Sequence, residues 1–130
     1  MALPLAAQQS KPPAPPAAQE QEPPEEDPDL KPKEYSFNPL EASRNITAGN
    51  FYFKKGNFRA ASRRYLEASK WDPTSAEAVL RLGEADEKLR DFTGAREAYE
   101  KFIALSSDGK EIEAVKKKIA GLPKSRAGKK

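Results

Sequence analysis

The chain contains neither cysteine nor histidine, so any chemistry has to come from carboxylates, hydroxyls, lysines and arginines. Without those two residue types there can be no disulfide, no Cys/His zinc site, no thiol nucleophile and no histidine general base. The carboxylates of residues 42–109 follow no metal-ligand spacing, the serines have no base, and a glycine-rich phosphate loop is missing. We therefore predict a protein that is not an enzyme and that uses no cofactor, metal or small-molecule substrate.

A second group of residues could bind anions. It consists of seven basic residues near the end of the chain: Lys116, Lys117, Lys118, Lys124, Arg126, Lys129 and Lys130. Such a group could give a salt-sensitive affinity for nucleic acid or another anionic surface. Because no motif that reads RNA or DNA accompanies these residues, anion binding is the alternative function and solubilising charge the plainer interpretation.

Charge and proline divide the chain into three parts. Residues 1–41 carry ten of the twelve prolines and eight acids against three lysines, whereas residues 42–109 are nearly neutral and residues 110–130 are strongly basic. Residues 1–34 have almost no apolar side chain larger than alanine, so we predict a disordered arm rich in proline and glutamate. It serves as a spacer or, through the PxxP pattern at 12–16, as a docking motif. We also predict that residues 123–130 form a disordered basic tail.

Residues 1–7 do not decide whether the protein is exported or cytoplasmic. Their apolar run is too short for a signal peptide and has no basic residue before it, yet Leu5-Ala6-Ala7 is similar to the end of a cleavage site. The protein is exported, to the periplasm in a bacterium, if these residues are the remnant of a signal peptide, and cytoplasmic otherwise.

Capping residues and helix breakers predict five helices that would position these groups. Asn38 with Glu41, Thr74 with Glu77, and Asp108 with Glu111 form capping boxes, and Asp91 is a further N-cap. The predicted helices run from about Pro39 to Lys55, from Phe58 to Lys70, from the Thr74 cap to about Arg90, from Asp91 to about Leu105, and from Asp108 to Gly121. Phe37 is placed to pack on the first turn as a hydrophobic staple.

The first four helices form two copies of one pattern, displaced by 34 residues. The residues that carry it are Gly49, Tyr52, Phe58, Ala61, Tyr65, Ala68 and Pro73, followed by Gly83, Phe92, Ala95 and Tyr99. Small residues allow two antiparallel helices to approach closely, and the aromatic rings fill the space around them. Asp86, Phe102 and Ser107 depart from this pattern. Phe102 is large enough to pack under the fifth helix, against Ile112 or Val115.

This order and spacing resembles the tetratricopeptide repeat (TPR) family. The resemblance implies an all-α solenoid with a domain over residues 35–122. That domain consists of a repeat at 42–75, a repeat at 76–109 and a capping helix at 109–121. Residues Gly94–Phe102 and Glu111–Ile119 are also similar to exported bacterial TPR adaptors.

The resemblance further implies a scaffold in which the first helix of each repeat lines a peptide-binding groove. Carried over residue by residue, the groove positions are Ser43, Ile46, Thr47, Asn50, Phe53, Lys54, Glu77, Leu80, Arg81, Glu84, Glu87 and Lys88. Our candidate site residues are Asn50, Phe53, Lys54, Arg81, Glu84 and Lys88. Asn50 and Arg81 would suit a clamp for a C-terminal carboxylate, but Ile46 stands where such a clamp has a lysine, and a third repeat is missing.

The predicted function is therefore a non-enzymatic scaffold that binds an unknown protein or peptide. Two open questions accompany it. Phe53 is either a peptide anchor or packs against residues 35–37 or the second repeat. The outer face of the first helix is covered either by residues 35–38 or by a second copy of the chain, so a homodimer stays open.

Overall fold

The computed structural model describes residues 34–124, which form five α-helices and no β-strand. They are α1 (Pro39–Lys54), α2 (Phe58–Trp71), α3 (Ala76–Lys88), α4 (Phe92–Leu105) and α5 (Gly109–Gly121). Neighbouring helices along the chain pack on one another, so the predicted all-α, TPR-like solenoid of five helices is confirmed. The predicted arm before Glu34 and most of the predicted tail, after Lys124, lie outside the described residues.

Each helix begins behind a side chain that accepts a hydrogen bond from a backbone N–H of its first turn. An N-cap of this kind satisfies a donor that has no partner within the helix. The caps are Asn38, Asn57, Ser75, Asp91 and Asp108.

The start of α3 differs from the sequence-based prediction. Ser75, and not Thr74, caps this helix, through a bond of 3.1 Å from the Ala78 N–H to the Ser75 hydroxyl oxygen. Thr74 is held in the preceding turn, because both its N–H and its hydroxyl donate to one Asp72 carboxylate oxygen, at 3.0 and 2.7 Å. Pro73 therefore lies in the turn between the repeats and not in the first turn of a helix.

The end of α3 is also earlier than predicted, at Lys88 instead of Arg90. Arg90 has a φ of +63°, in the left-handed region, and Gly56 has a φ of +82° at the same position of the first repeat. Glycine adopts this conformation readily, whereas other residues adopt it seldom. The turn of the TPR-like unit is thus the same in both copies, although only one copy has glycine there.

The two helix pairs pack through a glycine and a tyrosine ring. A Cβ atom added to Gly49 would lie 2.5 Å from Cε1 of Tyr65, and one added to Gly83 would lie 2.5 Å from Cε1 of Tyr99. Both rings are fully buried. The close approach of helices at these glycines, which the sequence predicts, is therefore present in both pairs.

Buried side chains form two clusters, one in each half of the solenoid. The first includes Tyr52, Ala61, Tyr65 and Ala68. The second joins α3, α4 and α5 and consists of Val79, Phe92, Ala95, Tyr99, Phe102, Val115 and Leu122. Phe102 and Val115 share this second cluster, which confirms the expectation that Phe102 packs under the last helix.

The segment before α1 packs against the last turns of α2. The ring of Tyr35 lies edge-on to Trp71 with centroids 4.9 Å apart, and its hydroxyl donates to a Glu67 carboxylate oxygen at 2.9 Å. The Asn38 N–H donates to the carbonyl of Trp71 at 2.9 Å. The Phe37 side chain is 66% exposed, so the predicted hydrophobic staple is not formed.

Within residues 34–124, no helix combines the length and the apolar character needed to span a membrane.

Candidate functional site

A pocket of about 380 Å³ is lined by side chains of α1, α3 and α5. We call it the A-helix pocket, because α1 and α3 are the first helices of the two repeats and α5 follows them in the same position. Its walls are Phe53 from α1, Glu84, Glu87 and Lys88 from α3, and Lys118 from α5.

Phe53 supplies the apolar part of this pocket. Its half-buried ring packs edge-on against the ring of Phe58, at the start of α2, with centroids 5.0 Å apart and planes at 72°. This contact fixes the ring while one side still borders the pocket. The ring is thus supported by its own repeat, and it also borders the second repeat across the pocket.

Both carboxylates of the pocket already have a partner inside the domain. Glu84 accepts a hydrogen bond from Arg81 at 3.2 Å, and Arg81 lies 4.0 Å from Glu77 on its other side. Glu87 accepts a hydrogen bond of 2.7 Å from the hydroxyl of Tyr99. Burial, together with this bond to Glu87, raises the pKa of Tyr99 well above its usual range, so the hydroxyl stays protonated and keeps donating.

The two lysines of the pocket make no ion pair with any residue between 34 and 124. The ammonium group of Lys88 lies 5.8 Å from the centroid of Phe58, and that of Lys118 lies 5.7 Å from the centroid of Tyr99. At these distances the ring faces attract the cations. The lysines are therefore positioned by aromatic rings and keep their charge available to a ligand.

Asn50 lies one turn before Phe53 and is fixed by the core. Its side-chain oxygen accepts a hydrogen bond of 2.6 Å from the hydroxyl of Tyr65, whose pKa burial raises to about 12. Because the oxygen is occupied, the amide nitrogen of Asn50 is the group that can donate to a ligand.

The six candidate site residues therefore take different positions. Phe53, Glu84 and Lys88 line the A-helix pocket, Arg81 pairs with acids of its own helix, Asn50 is held by Tyr65, and Lys54 is exposed at the end of α1. Lys118 is a lining residue that the groove prediction missed. A signal for it existed, because it stands three residues after the buried Val115 and next to the half-buried Ile119, at the edge of the packed face of α5.

A second concave region lies between α2 and α4, on another face of α3. Two adjoining pockets, of about 280 and 260 Å³, share Ser69, Val79 and Lys101. At the polar end of this region Asp86 is only 7% exposed and accepts a hydrogen bond of 2.8 Å from the hydroxyl of Ser62. Burial raises the pKa of Asp86 to about 6. No cluster of three metal-binding side chains occurs here or elsewhere among residues 34–124.

Comparison with known proteins gives a partial likeness to a curated protein. No protein-family model matches the chain. The chain is 37% identical over 70 residues to stress-induced-phosphoprotein 1 of Caenorhabditis elegans; these residues make up 54% of the chain and 22% of the relative's length. The chain thus spans less than a quarter of the curated relative it matches. This likeness and the five helices are compatible with a TPR protein, but a nematode relative supports neither a bacterial nor a periplasmic origin.

Proposed function

We propose that the chain is a non-enzymatic interaction module that binds a peptide segment of another protein along α1, α3 and α5. The observation that carries the proposal is the A-helix pocket, where a fixed aromatic ring stands beside two lysines that have no carboxylate partner among residues 34–124. The unit proposed to bind is the domain of residues 35–122, with repeats at 42–75 and 76–109 and the capping helix at 109–121.

The pocket offers three kinds of contact to an extended peptide. The ring of Phe53 can cover an apolar side chain, the ammonium groups of Lys88 and Lys118 can meet carboxylates or carbonyl oxygens, and the amide of Asn50 can donate a hydrogen bond. In protein interfaces a few residues, many of them aromatic side chains in well-packed pockets, cost about 2 kcal/mol or more when truncated. Phe53 is therefore the residue on which affinity should depend most.

The test is to select binders from a random-peptide display library on the intact chain and to map the best peptide by amide NMR shifts. We expect shifts around Phe53, Glu84 and Lys118, and we expect Phe53→Ala to weaken binding at least about tenfold, the equivalent of 1.4 kcal/mol. The matched control is Leu66→Ala on α2, which removes a side chain that is 43% exposed and lies outside the pocket. The proposal would be contradicted if Leu66→Ala abolished peptide binding and Phe53→Ala left it unchanged.

The alternative, binding of nucleic acid by the basic end of the chain, receives no support from the contacts of α5. Lys116 pairs with Glu113 at 3.7 Å, and Lys118 faces the A-helix pocket. Of the lysines at 116–118, one is thus paired and another lines the A-helix pocket, so we place this alternative second. The alternative would be supported if the chain shifted the electrophoretic band of generic DNA at low salt and this shift faded at physiological salt.

A further inference from the structure

The charges of the A-helix pocket, two glutamates and two lysines, sum to zero, but only the glutamates have polar partners within the domain. Its carboxylates are engaged, Glu84 by Arg81 and Glu87 by the hydroxyl of Tyr99. Its ammonium groups, on Lys88 and Lys118, face aromatic rings and no carboxylate of residues 34–124. A segment with carboxylates would give these two lysines the partners that the domain does not supply.

Such a segment exists in the same chain, shortly before the described residues begin. Residues 20–29 read Glu-Gln-Glu-Pro-Pro-Glu-Glu-Asp-Pro-Asp, with six acids and no basic residue. No other stretch of ten residues in the chain carries as many acids. The segment is thus complementary in charge to Lys88 and Lys118.

The length of the intervening chain allows the two to meet. Phe53 lies fifteen residues along the chain from Asn38, a distance of about 22 Å in a helix. Glu26 precedes Glu34 by eight residues, which can span about 27 Å at most, and Glu20 precedes it by fourteen, which can span about 48 Å. The acidic segment can therefore reach the pocket without displacing the contact of Tyr35 with α2.

We propose that residues 20–29 occupy the A-helix pocket of their own chain, with their carboxylates on Lys88 and Lys118, and so compete with a peptide ligand. This inference rests on the proposed function in that the pocket and the competing ligand are the same. Individually weak charge pairs suffice, because a short tether gives the segment an effective concentration of about millimolar.

The first experiment is a paramagnetic relaxation measurement on the intact chain. Because the protein has no cysteine, Gln21→Cys places a spin label uniquely within the acidic segment and keeps all six acids. We expect the label to broaden the amide signals of Phe53, Lys88 and Lys118 and to spare those of Leu66 and Leu105. A label at Gln9→Cys, outside the segment, is the control and should broaden these pocket signals far less.

Charge variants then test whether the contact depends on the two lysines. Lys88→Glu with Lys118→Glu should abolish the broadening, and Lys101→Glu with Lys110→Glu should not, although both pairs change the net charge equally. The broadening should also fade in 1 M salt, where the Debye length falls to about 3 Å. The proposal would be overturned if the label broadened no pocket signals in the chain that keeps both lysines. It would also be overturned if the broadening persisted after Lys88→Glu and Lys118→Glu.

The pocket could instead be occupied by the acidic segment of a second copy of the chain, and a further measurement distinguishes the two cases. In a mixture of isotope-labelled chains and spin-labelled unlabelled chains, only an intermolecular contact broadens the observed signals. We expect none, and broadening in the mixture would replace the intramolecular proposal with an exchange of segments between two copies.

Failure of this inference can be told apart from failure of the proposed function. If a selected peptide binds the pocket but the Gln21 label reports no contact, the pocket is a binding site without an internal competitor. If the label reports contact and no selected peptide binds the pocket even after the six acids are replaced by their amides, the segment is its ligand and the proposed function is wrong. If a peptide binds the pocket and the label also reports contact, replacing the six acids by their amides should raise peptide affinity several-fold. An unchanged affinity would contradict competition between the segment and the peptide.

Discussion

Gly49 and Gly83 allow the helices of each pair to pack closely, because neither residue has a Cβ atom. Each lies against the ring of a buried tyrosine at a distance that leaves no room for a methyl group. The rings cannot retreat easily, because the hydroxyl of each is hydrogen-bonded at its far end, Tyr65 to Asn50 and Tyr99 to Glu87. The same residue pair thus sets the spacing of the helices in both repeats.

Gly49→Ala should therefore destabilise the protein, although alanine favours a helix by up to about 1 kcal/mol over glycine. Overpacking of a closed core typically costs about 1–3 kcal/mol, so we expect a net loss of about 1–2 kcal/mol in the free energy of unfolding. Urea denaturation measures it. Gly109→Ala is the matched control, because a Cβ there meets nothing within 4 Å. Equal stability of the two variants would show that the contact with Tyr65 has no energetic role.

Asp86 stands where the first repeat has Tyr52, and its burial makes stability depend on pH. Burial raises its pKa from 3.8 to about 6, the bond from Ser62 acts in the opposite direction, and the nearby Asp91 raises it further. The folded state therefore holds the proton more tightly than the unfolded state. The associated stability is fully present below pH 3.8 and is lost as the pH rises through about 6.

Asp86→Asn should remove this dependence, because the amide oxygen can still accept the bond from Ser62 while no charge is buried. We expect the stability of the variant relative to the natural chain to increase between pH 4 and pH 7, by at most about 3 kcal/mol. Urea denaturation at several pH values measures it. Glu97→Gln, at an exposed position of α4, should show no such increase. A constant difference at all pH values would mean that Asp86 titrates normally.

At the scale of the elements, the packing of α5 on the rest of the domain depends on one side chain of α4. Phe102 occupies the position at which the first repeat has the small Ala68, and its ring shares a buried cluster with Val115 and Leu122. Phe102→Ala should cost about 3–5 kcal/mol and free α5 before the rest of the solenoid unfolds. Amide hydrogen exchange should show the loss of protection in α5 first. Leu105→Ala, at a position 38% exposed, should leave α5 protected.

Helix positions were predictable from the sequence where a local signal decides them. Asn38, Asp91 and Asp108 are caps whose partners lie within three residues, so the sequence holds all that is needed. Thr74 and Ser75 are both good caps, and the choice between them depends on how Asp72 folds back in the turn. The end of α3 was misplaced because residue type alone gives no sign that arginine takes the left-handed conformation.

The groove was only partly predictable for a related reason. Phe53, Glu84 and Lys88 lie on helices whose relative position the repeat pattern already fixes. Lys118 lies on α5, which has no repeat pattern of its own, so its approach to α1 and α3 depends on how Phe102 and Val115 pack. Local periodicity reveals which face of a helix is buried but not where that helix sits in the molecule.

For the whole molecule, the ends of the solenoid determine what remains exposed. The second cluster is closed by α5, and the last turns of α2 are covered by Tyr35, which contacts Trp71 and Glu67. Phe37 and Leu40 stay largely exposed beside this contact. They are the residues to vary if the protein is found to form a dimer.

Tyr35→Ala should uncover Trp71, the one tryptophan of the chain, and lower stability by about 1–2 kcal/mol. Tryptophan emission should move to longer wavelength before any unfolding. Phe37→Ala is the matched control and should leave both emission and stability unchanged within about 0.5 kcal/mol. Unaltered emission in Tyr35→Ala would mean that the segment before α1 does not cover Trp71 in solution.

The two buried tyrosine hydroxyls have a consequence for how far the two copies of the pattern can differ. Tyr65 and Tyr99 are equivalent in the core, yet Tyr65 bonds Asn50, whereas Tyr99 bonds Glu87, which corresponds to Phe53, one turn further along the helix. One unchanged ring thus supports polar side chains at either of two neighbouring surface positions. Each copy of the pattern can therefore carry a different polar residue on its surface while the packing of its helices stays the same.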